Sequence, residues 1–239
     1  MAKPRIGVLM CGHVPVDLQE ISGGDYDLVY RNLVESADPN IDLAVYPVID
    51  DAFPESIDEC DGWIITGSPF DADSDEAWVV KLRDWITEAS AARARIAGVC
   101  FGHQLVAEAL GGKVERADRW KVGPQDTEVQ PTSWFEGGEV KLNAMHQDVV
   151  TQLPPGARLI AEGSTSEFPA YLVGDHIVCV QDHPELDADY VGALLDLRVA
   201  RIDADTASAA RRRLASEPTD GRTVGRWLVD FLLDRRLAT

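Results

Sequence analysis

Two short stretches of the 239-residue chain hold the side chains best suited to chemistry. In Ile96-Ala97-Gly98-Val99-Cys100-Phe101-Gly102-His103-Gln104-Leu105, a short apolar run passes into a helical pattern, with a cysteine at the junction and a glycine two positions to either side. A turn of that kind is strained and crowded, and small flanking residues let the side chain at its apex project from the carboxyl edge of a sheet. A cysteine there lies at the positive end of a helix dipole, which favours thiolate over thiol. The backbone N–H groups of the same turn can bind an oxyanion. On these residues alone a buried strand-end cysteine fits as well, and what separates the two readings is a base. Gln181-Asp182-His183-Pro184-Glu185 offers one, directly after the strand-like run His176–Val180. Residues i and i+2 of an extended chain point to one side, so Glu185 can orient the His183 imidazole while the other ring nitrogen faces a thiolate. Pro184 stiffens the spacer between them. Nucleophile, base and orienter are the set that acyl transfer through a covalent intermediate requires.

These groups must be positioned by secondary structure. Apolar runs at Arg5–Met10, Ile41–Val48, Trp63–Thr66 and Ile96–Cys100 alternate with longer amphipathic stretches, the pattern of βαβ units in a parallel sheet. A helix is expected at Tyr26–Ala37. Another is expected at Asp75–Ala91, where Trp78, Val79, Leu82, Trp85, Ile86 and Ala89 recur at spacings of three and four, with Asp73 and Glu76 as a capping pair. A third runs from Gly102 to Leu110 and stops at Gly111-Gly112. From Lys113 to Val180 the strand-like pieces Val140–Asn143, Arg158–Ala161, Ala170–Val173 and His176–Gln181 are broken by Pro124, Pro131, Gly137-Gly138 and Pro154-Pro155. They read as hairpins and mixed strands added to the sheet. After Pro184 the pattern is helical again, at Asp189–Val199, Thr206–Leu214 and Thr223–Leu237. With no linker, repeat or low-complexity segment, one α/β domain is expected over residues 1–239, with a core at 1–200 and a C-terminal helical extension at 201–239.

The two chemical stretches, taken with two others, resemble the class I glutamine amidotransferases and their Cys-His-Glu triad. Gly98-Val99-Cys100-Phe101-Gly102-His103-Gln104 is similar to the family's nucleophile motif and His183-Pro184-Glu185 to its His-Pro-Glu motif. Thr66-Gly67-Ser68-Pro69 looks like its oxyanion-loop strand end, and Met145-His146-Gln147-Asp148 like its Ser-His-x-Asp-type segment. All four occur in the family's order, and with the first strand they span about Arg5 to Glu185. The resemblance implies a flavodoxin-like fold with a mostly parallel central sheet flanked by helices. It implies Cys100 as nucleophile toward a γ-glutamyl carbonyl, His183 as base and then acid, and Glu185 as orienter. It also implies an oxyanion hole from the amides of Gly67 and Phe101, Gln104 in the glutamyl pocket, and main chain at Met145 and His146 holding the α-amino and α-carboxylate groups. The intermediate would be a γ-glutamyl thioester released by water.

Composition narrows the partners. With 22 Lys+Arg against 41 Asp+Glu the formal charge is −19, which excludes nucleic acid as an expected partner. No apolar run approaches the ~20 residues of a membrane span, and the N-terminal run is strand-sized, so a cytoplasmic location is expected. The four cysteines, Cys11, Cys60, Cys100 and Cys179, have no CxxC spacing and read as reduced thiols. Cys179 falls within a strand and reads as core. No metal cluster is visible and the implied mechanism needs no cofactor. Asp71–Glu76 lacks the glycine and the distal glutamate of a calcium loop. Ser22-Gly23-Gly24-Asp25 lacks the remainder of an ATP-pyrophosphatase loop, and Arg211-Arg212-Arg213 reads as a solvated, self-compensating face. His103 and His146 are expected to be hydrogen-bonding structural residues, and His13 a loop residue at the site's edge. Asp182 departs from the Phe or Gly common before the family's histidine, and would either raise the basicity of His183 or face solvent.

Within the family, the chain looks like the free-standing GMP-synthetase-like branch that includes γ-glutamyl peptidases. The leading expectation is a stand-alone cysteine hydrolase acting on a γ-glutamyl amide or peptide bond. The alternative is a glutaminase subunit supplying ammonia from glutamine to a separate synthetase chain, and a third reading is a non-catalytic regulatory module. Loops at His13–Asp25 and Phe70–Ser74 are expected to shape the leaving-amine part of the pocket.

Overall fold

The computed structural model describes residues 3–164 and 166–238. The apolar runs become β1 (Arg5–Leu9), β2 (Asp42–Tyr46), β3 (Gly62–Ile65) and β4 (Ile96–Val99). Side chains along them alternate between two hydrophobic clusters. Ile6, Val8, Ile64, Ala97 and Val99 face one, and Leu9, Trp63, Ile65 and Ile96 face the other. Burial on both faces is the signature of a parallel sheet sandwiched by helices, and each fully buried aliphatic side chain contributes about 1.5–3 kcal/mol. Between β1 and β2 lie α1 (Gln19–Ser22) and α2 (Tyr26–Ala37), whose Asp25 cap accepts from the Tyr26 N–H. Between β3 and β4 runs α3 (Ala77–Ala91), and α4 (Phe101–Ala109) leaves β4 directly. Gly111, at φ 88°, ends that helix as the sequence suggests.

The expected capping pair of α3 is not formed. Glu76 occupies the cap position with no side-chain bond, and its N–H instead donates to the Ser74 hydroxyl. The loop is held by Arg83, whose guanidinium donates to the carbonyls of Ala72 and Ser74 at 3.1 Å each, so a side chain more than a turn into the helix replaces the cap.

A larger difference concerns residues 113–180. β5 (Lys113–Val129) and β6 (Gly138–Gln152) form a long antiparallel hairpin. After them come β7 (Ala157–Leu159), β8 (Ala161–Gly163), β9 (Ala170–Val173) and β10 (Ile177–Val180). Only β10, β9 and β7 join the main sheet, whose order is β2-β1-β3-β4-β10-β9-β7, with β10 parallel to β4 and β9 antiparallel to β10. The hairpin makes a separate sheet of order β6-β5-β8. The hairpin strands, of 17 and 15 residues, pair with each other along most of their length, and the three-residue β8 adds to β5.

The chain closes with α5 (Ala188–Arg198), α6 (Ala204–Leu214) and α7 (Gly221–Leu232). α6 packs on β5, and α7 packs on α2. α7 ends before the expected Leu237, with Asp234 at a left-handed φ of 50°. Its inward residues Phe231 and Leu232 are fully buried. Among the described residues no helix is long and apolar enough to cross a membrane. In the β2-β1-β3-β4-β10 order the carboxyl ends of β3, β4 and β10 are adjacent, which brings Gly67, Cys100 and His183 to one edge.

Candidate active site

Cys100 follows the last residue of β4 and caps α4, with φ 51° and ψ −101°. For a residue with a Cβ that conformation costs about 1–3 kcal/mol and persists only where the surroundings over-determine it. Here the Cys100 N–H donates to the Val180 carbonyl at 3.0 Å and its own carbonyl accepts from the Gln104 N–H at 3.1 Å. The flanking glycines are required by close approach. A Cβ on Gly98 would lie 2.7 Å from the Gly102 carbonyl oxygen, and one on Gly102 would lie 2.3 Å from that of Ile65.

His183 is held from both sheets. Its N–H donates to the Asn143 carbonyl on β6 at 2.8 Å, and the Asn143 side chain donates to the Leu186 carbonyl at 2.9 Å. Two residues on, Glu185 Oε1 lies 2.7 Å from His183 Nδ1, with the two side chains 1% and 6% exposed. With Nδ1–H donating to that carboxylate, Nε2 remains to face the Cys100 side chain. The end of β3 closes the cluster, because a Cβ on Gly67 would lie 2.9 Å from His183 Cε1 and 3.9 Å from Cys100 Cβ. Burial alone would lower the pKa of His183, but the Cys100 thiolate and then the Glu185 carboxylate overcome it and hold the imidazole well above its ordinary value. The Cys100 side chain therefore has beside it a ring able to accept and return a proton, as a group bonded to sulfur would require.

The other residues singled out in the sequence gather around a solvent-open cavity with about 630 Å³ of empty volume, lined by Cys100, Gln104, Met145, His146 and the loop residues Ser68–Asp71. Phe101 is the first residue of α4, so its N–H has no acceptor within the helix. Gln104 Nε2 donates to the Asp148 carbonyl at 2.8 Å, tying α4 to β6. The Gly67 amide faces the Tyr30 hydroxyl. His103 is buried against the Phe168 carbonyl at 2.8 Å, and burial pushes its pKa down to about 3, so it is a neutral structural residue. Cys11 and Cys179 are wholly buried, and burial pushes each thiol up to about 12.

Two expectations are corrected. Asp182 does not face solvent. Neighbours in an extended segment point to opposite sides, and its carboxylate lies 3.3 Å from His146 Nε2 with both side chains 3% exposed. The loop at 13–25 does not line the cavity either. His13 is clasped between Asp25 (2.6 Å) and Asp50 (3.1 Å), and its bond to Asp25 outweighs desolvation and raises its pKa. The Phe70–Ser74 loop does reach the cavity, through Phe70 and Asp71.

Sequence reasoning missed Tyr30, whose hydroxyl donates to Glu185 Oε1 at 2.9 Å. On α2 it reads only as another inward-facing aromatic, and no local signal relates it to a residue 155 positions away. It also missed Trp120, Arg198 and Arg201 on the cavity wall, which lie far apart in the chain and outside any motif.

Against known proteins, the family model described as "Glutamine amidotransferase class-I" matches residues 26–193. Gamma-glutamyl peptidase 4 of Arabidopsis thaliana is 35% identical over 188 residues, covering 72% of each chain. Gamma-glutamyl peptidase 2 of the same organism is 28% identical over 236 residues, covering 92% of each. The crystal structure of a glutamine amido transferase from Methylobacillus flagellatus shares the fold, with a TM-score of 0.71 at 22% identity over 100% of this chain and 98% of that one.

Proposed function

Because the chain belongs to the class I glutamine amidotransferase family, we propose that it is a stand-alone cysteine hydrolase cleaving a γ-glutamyl amide or peptide bond through a γ-glutamyl thioester on Cys100. The observation that carries this reading is the strained Cys100 turn sharing one edge with His183, whose Nδ1 is fixed by Glu185 at 2.7 Å.

Cys100 Sγ attacks the γ-carbonyl carbon, and the carbonyl π electrons move to oxygen, where the Phe101 amide receives the charge together with that of Gly67, which must first turn from the Tyr30 hydroxyl. The C–N bond then breaks as His183 delivers its Nε2 proton to the leaving amine, which departs neutral. A water enters, gives a proton to the same nitrogen and attacks the thioester carbon. The C–S bond breaks, and glutamate and the thiolate are released. Gln104 and the main chain at Met145–His146 hold the glutamyl head group. Glu185, braced by Tyr30, keeps the imidazole in the required tautomer. The reaction needs no cofactor, and the free thiols suit a reducing compartment such as the cytoplasm.

One observation favours the competing reading of a glutaminase subunit that docks on a synthetase. Val16 (82% exposed), Leu197 (61%) and Val199 (43%) present apolar side chains on neighbouring elements. That reading predicts low activity alone and a rise when the partner is added. A non-catalytic module is disfavoured by the intact Cys100, His183 and Glu185.

The test is glutamate release by the purified chain alone from glutamine and from a panel of γ-glutamyl peptides and amides. Turnover is expected, with Cys100→Ala reducing it at least ~10³-fold. Turnover undiminished in that variant would overturn the proposal.

A further inference from the structure

The cavity wall carries cations that the reaction above does not use. Arg198 is the last residue of α5 and Arg201 lies in the 3-10 turn after it, and both line the cavity that holds Cys100. The formal charge of the chain is −19, so carboxylates are abundant, yet among the described residues neither guanidinium has one within ion-pair distance. The third arginine of the cavity contrasts with them. Arg116 is neutralised by Asp148 at 2.8 Å and Asp71 at 2.7 Å.

What Arg198 and Arg201 share is an aromatic platform. Their guanidinium carbons lie 5.9 and 5.4 Å from the Trp120 ring centroid, within cation–π range. Trp120 reaches that position through an irregularity in the hairpin. Arg116 pairs with Asp148 and Lys121 with His146, so residues 117–120 stand opposite Gln147 alone and bulge out of the ladder. Gln147 Nε2 holds the bulge by donating to the Ala117 carbonyl at 2.9 Å. A guanidinium packed on a ring keeps its forked donors free for a planar anion and is more weakly hydrated than an ammonium.

We propose that Arg198 and Arg201, backed by Trp120, bind a carboxylate on the leaving-amine side of the substrate, so that the preferred substrates are γ-glutamyl amino acids or peptides with a free carboxylate rather than glutamine or neutral γ-glutamyl amides. The proposal rests on the hydrolase reading of the site. An interaction remote from the reacting bond is made equally in ground and transition states, so it acts through KM more than kcat.

The experiment compares γ-glutamylglycine with γ-glutamylglycinamide, which differ only in that carboxylate. The wild-type chain is expected to prefer the acid by about tenfold or more in kcat/KM, chiefly through KM. In the Arg198→Gln/Arg201→Gln variant, whose substitutions lie at the cavity rim, the ratio falls to near one, and added salt shrinks the wild-type preference. No preference in the wild type would overturn the proposal. So would an equal loss for both substrates in the variant, which would assign the guanidiniums to the glutamyl α-carboxylate. If neither compound is turned over, the hydrolase reading fails separately. Calorimetric binding of the same pair to Cys100→Ala, with and without the arginine substitutions, then decides the carboxylate preference by the same ratios.

Discussion

Burial opposes charge at the inward-facing cysteines, and Cys11 shows the effect plainly, since desolvation pushes its thiol up to about 12 even though the chain folds it close to the same sheet edge as Cys100. Cys100 is also nearly covered, at 6% exposure, but it has the His183 ring against it. The pairing makes a prediction about pH. A histidine whose pKa is raised on folding contributes stability that is fully present below its ordinary range and is lost as pH rises through the folded value. Desolvation acts downward at His183, and the Cys100 thiolate is the largest influence acting upward. Cys100→Ala should therefore move the His183 titration, followed by nitrogen chemical shifts, to lower pH than in the wild type. A titration that stays in place would mean that no thiolate faces the ring. Cys100, His183 and Glu185 stood out as candidates in the sequence because strand-turn-helix and His-x-Glu patterns are local. Tyr30, Asn143 and the arginine pair were not, because each meets the site only through tertiary contact.

Elements transmit constraints to the site that no motif records. The first residue of α7 abuts the segment between the proposed base and its orienter, since a Cβ on Gly221 would lie 2.2 Å from the Pro184 carbonyl oxygen. Gly221→Ala is expected to cost about 1–3 kcal/mol by overpacking and to lower kcat by displacing the 183–185 segment. Gly192, on α5, is the control. A Cβ there meets nothing within 4 Å, and Gly192→Ala should stabilise the helix by up to about 1 kcal/mol and leave kcat unaltered. Thermal melts and steady-state kinetics on both variants check this, and equal behaviour would contradict the coupling. Periodicity located β1, β3, β4, α2, α4 and most of α3, whose strands are buried on both faces or whose helices carry one apolar stripe. Of the β5–β6 hairpin it picked out only Val140–Asn143. A sheet solvated on one face, with Asp118 and Arg119 in a bulge, shows no continuous apolar run to read.

The two sheets and the last helices share their burial, and this is the scale at which the site becomes complete. The proposed nucleophile and oxyanion-loop glycine come from the parallel sheet, the main-chain clamp on His183 from the hairpin, and the Glu185 brace from α2. Of the C-terminal extension expected at 201–239, the described residues 201–238 are proposed as an integral part of the fold. Phe231 stacks edge-on against Trp134 at 4.8 Å, and its carbonyl accepts from Arg95 at 3.0 Å. Every group that the proposed reaction uses thus lies on one chain. The most direct test is to quench the purified chain with acid during turnover of a γ-glutamyl amide and to weigh the intact protein and its Cys100 peptide. One glutamyl residue is expected on Cys100, absent from Cys100→Ala. Steady turnover that leaves Cys100 unmodified and persists in Cys100→Ala would contradict it.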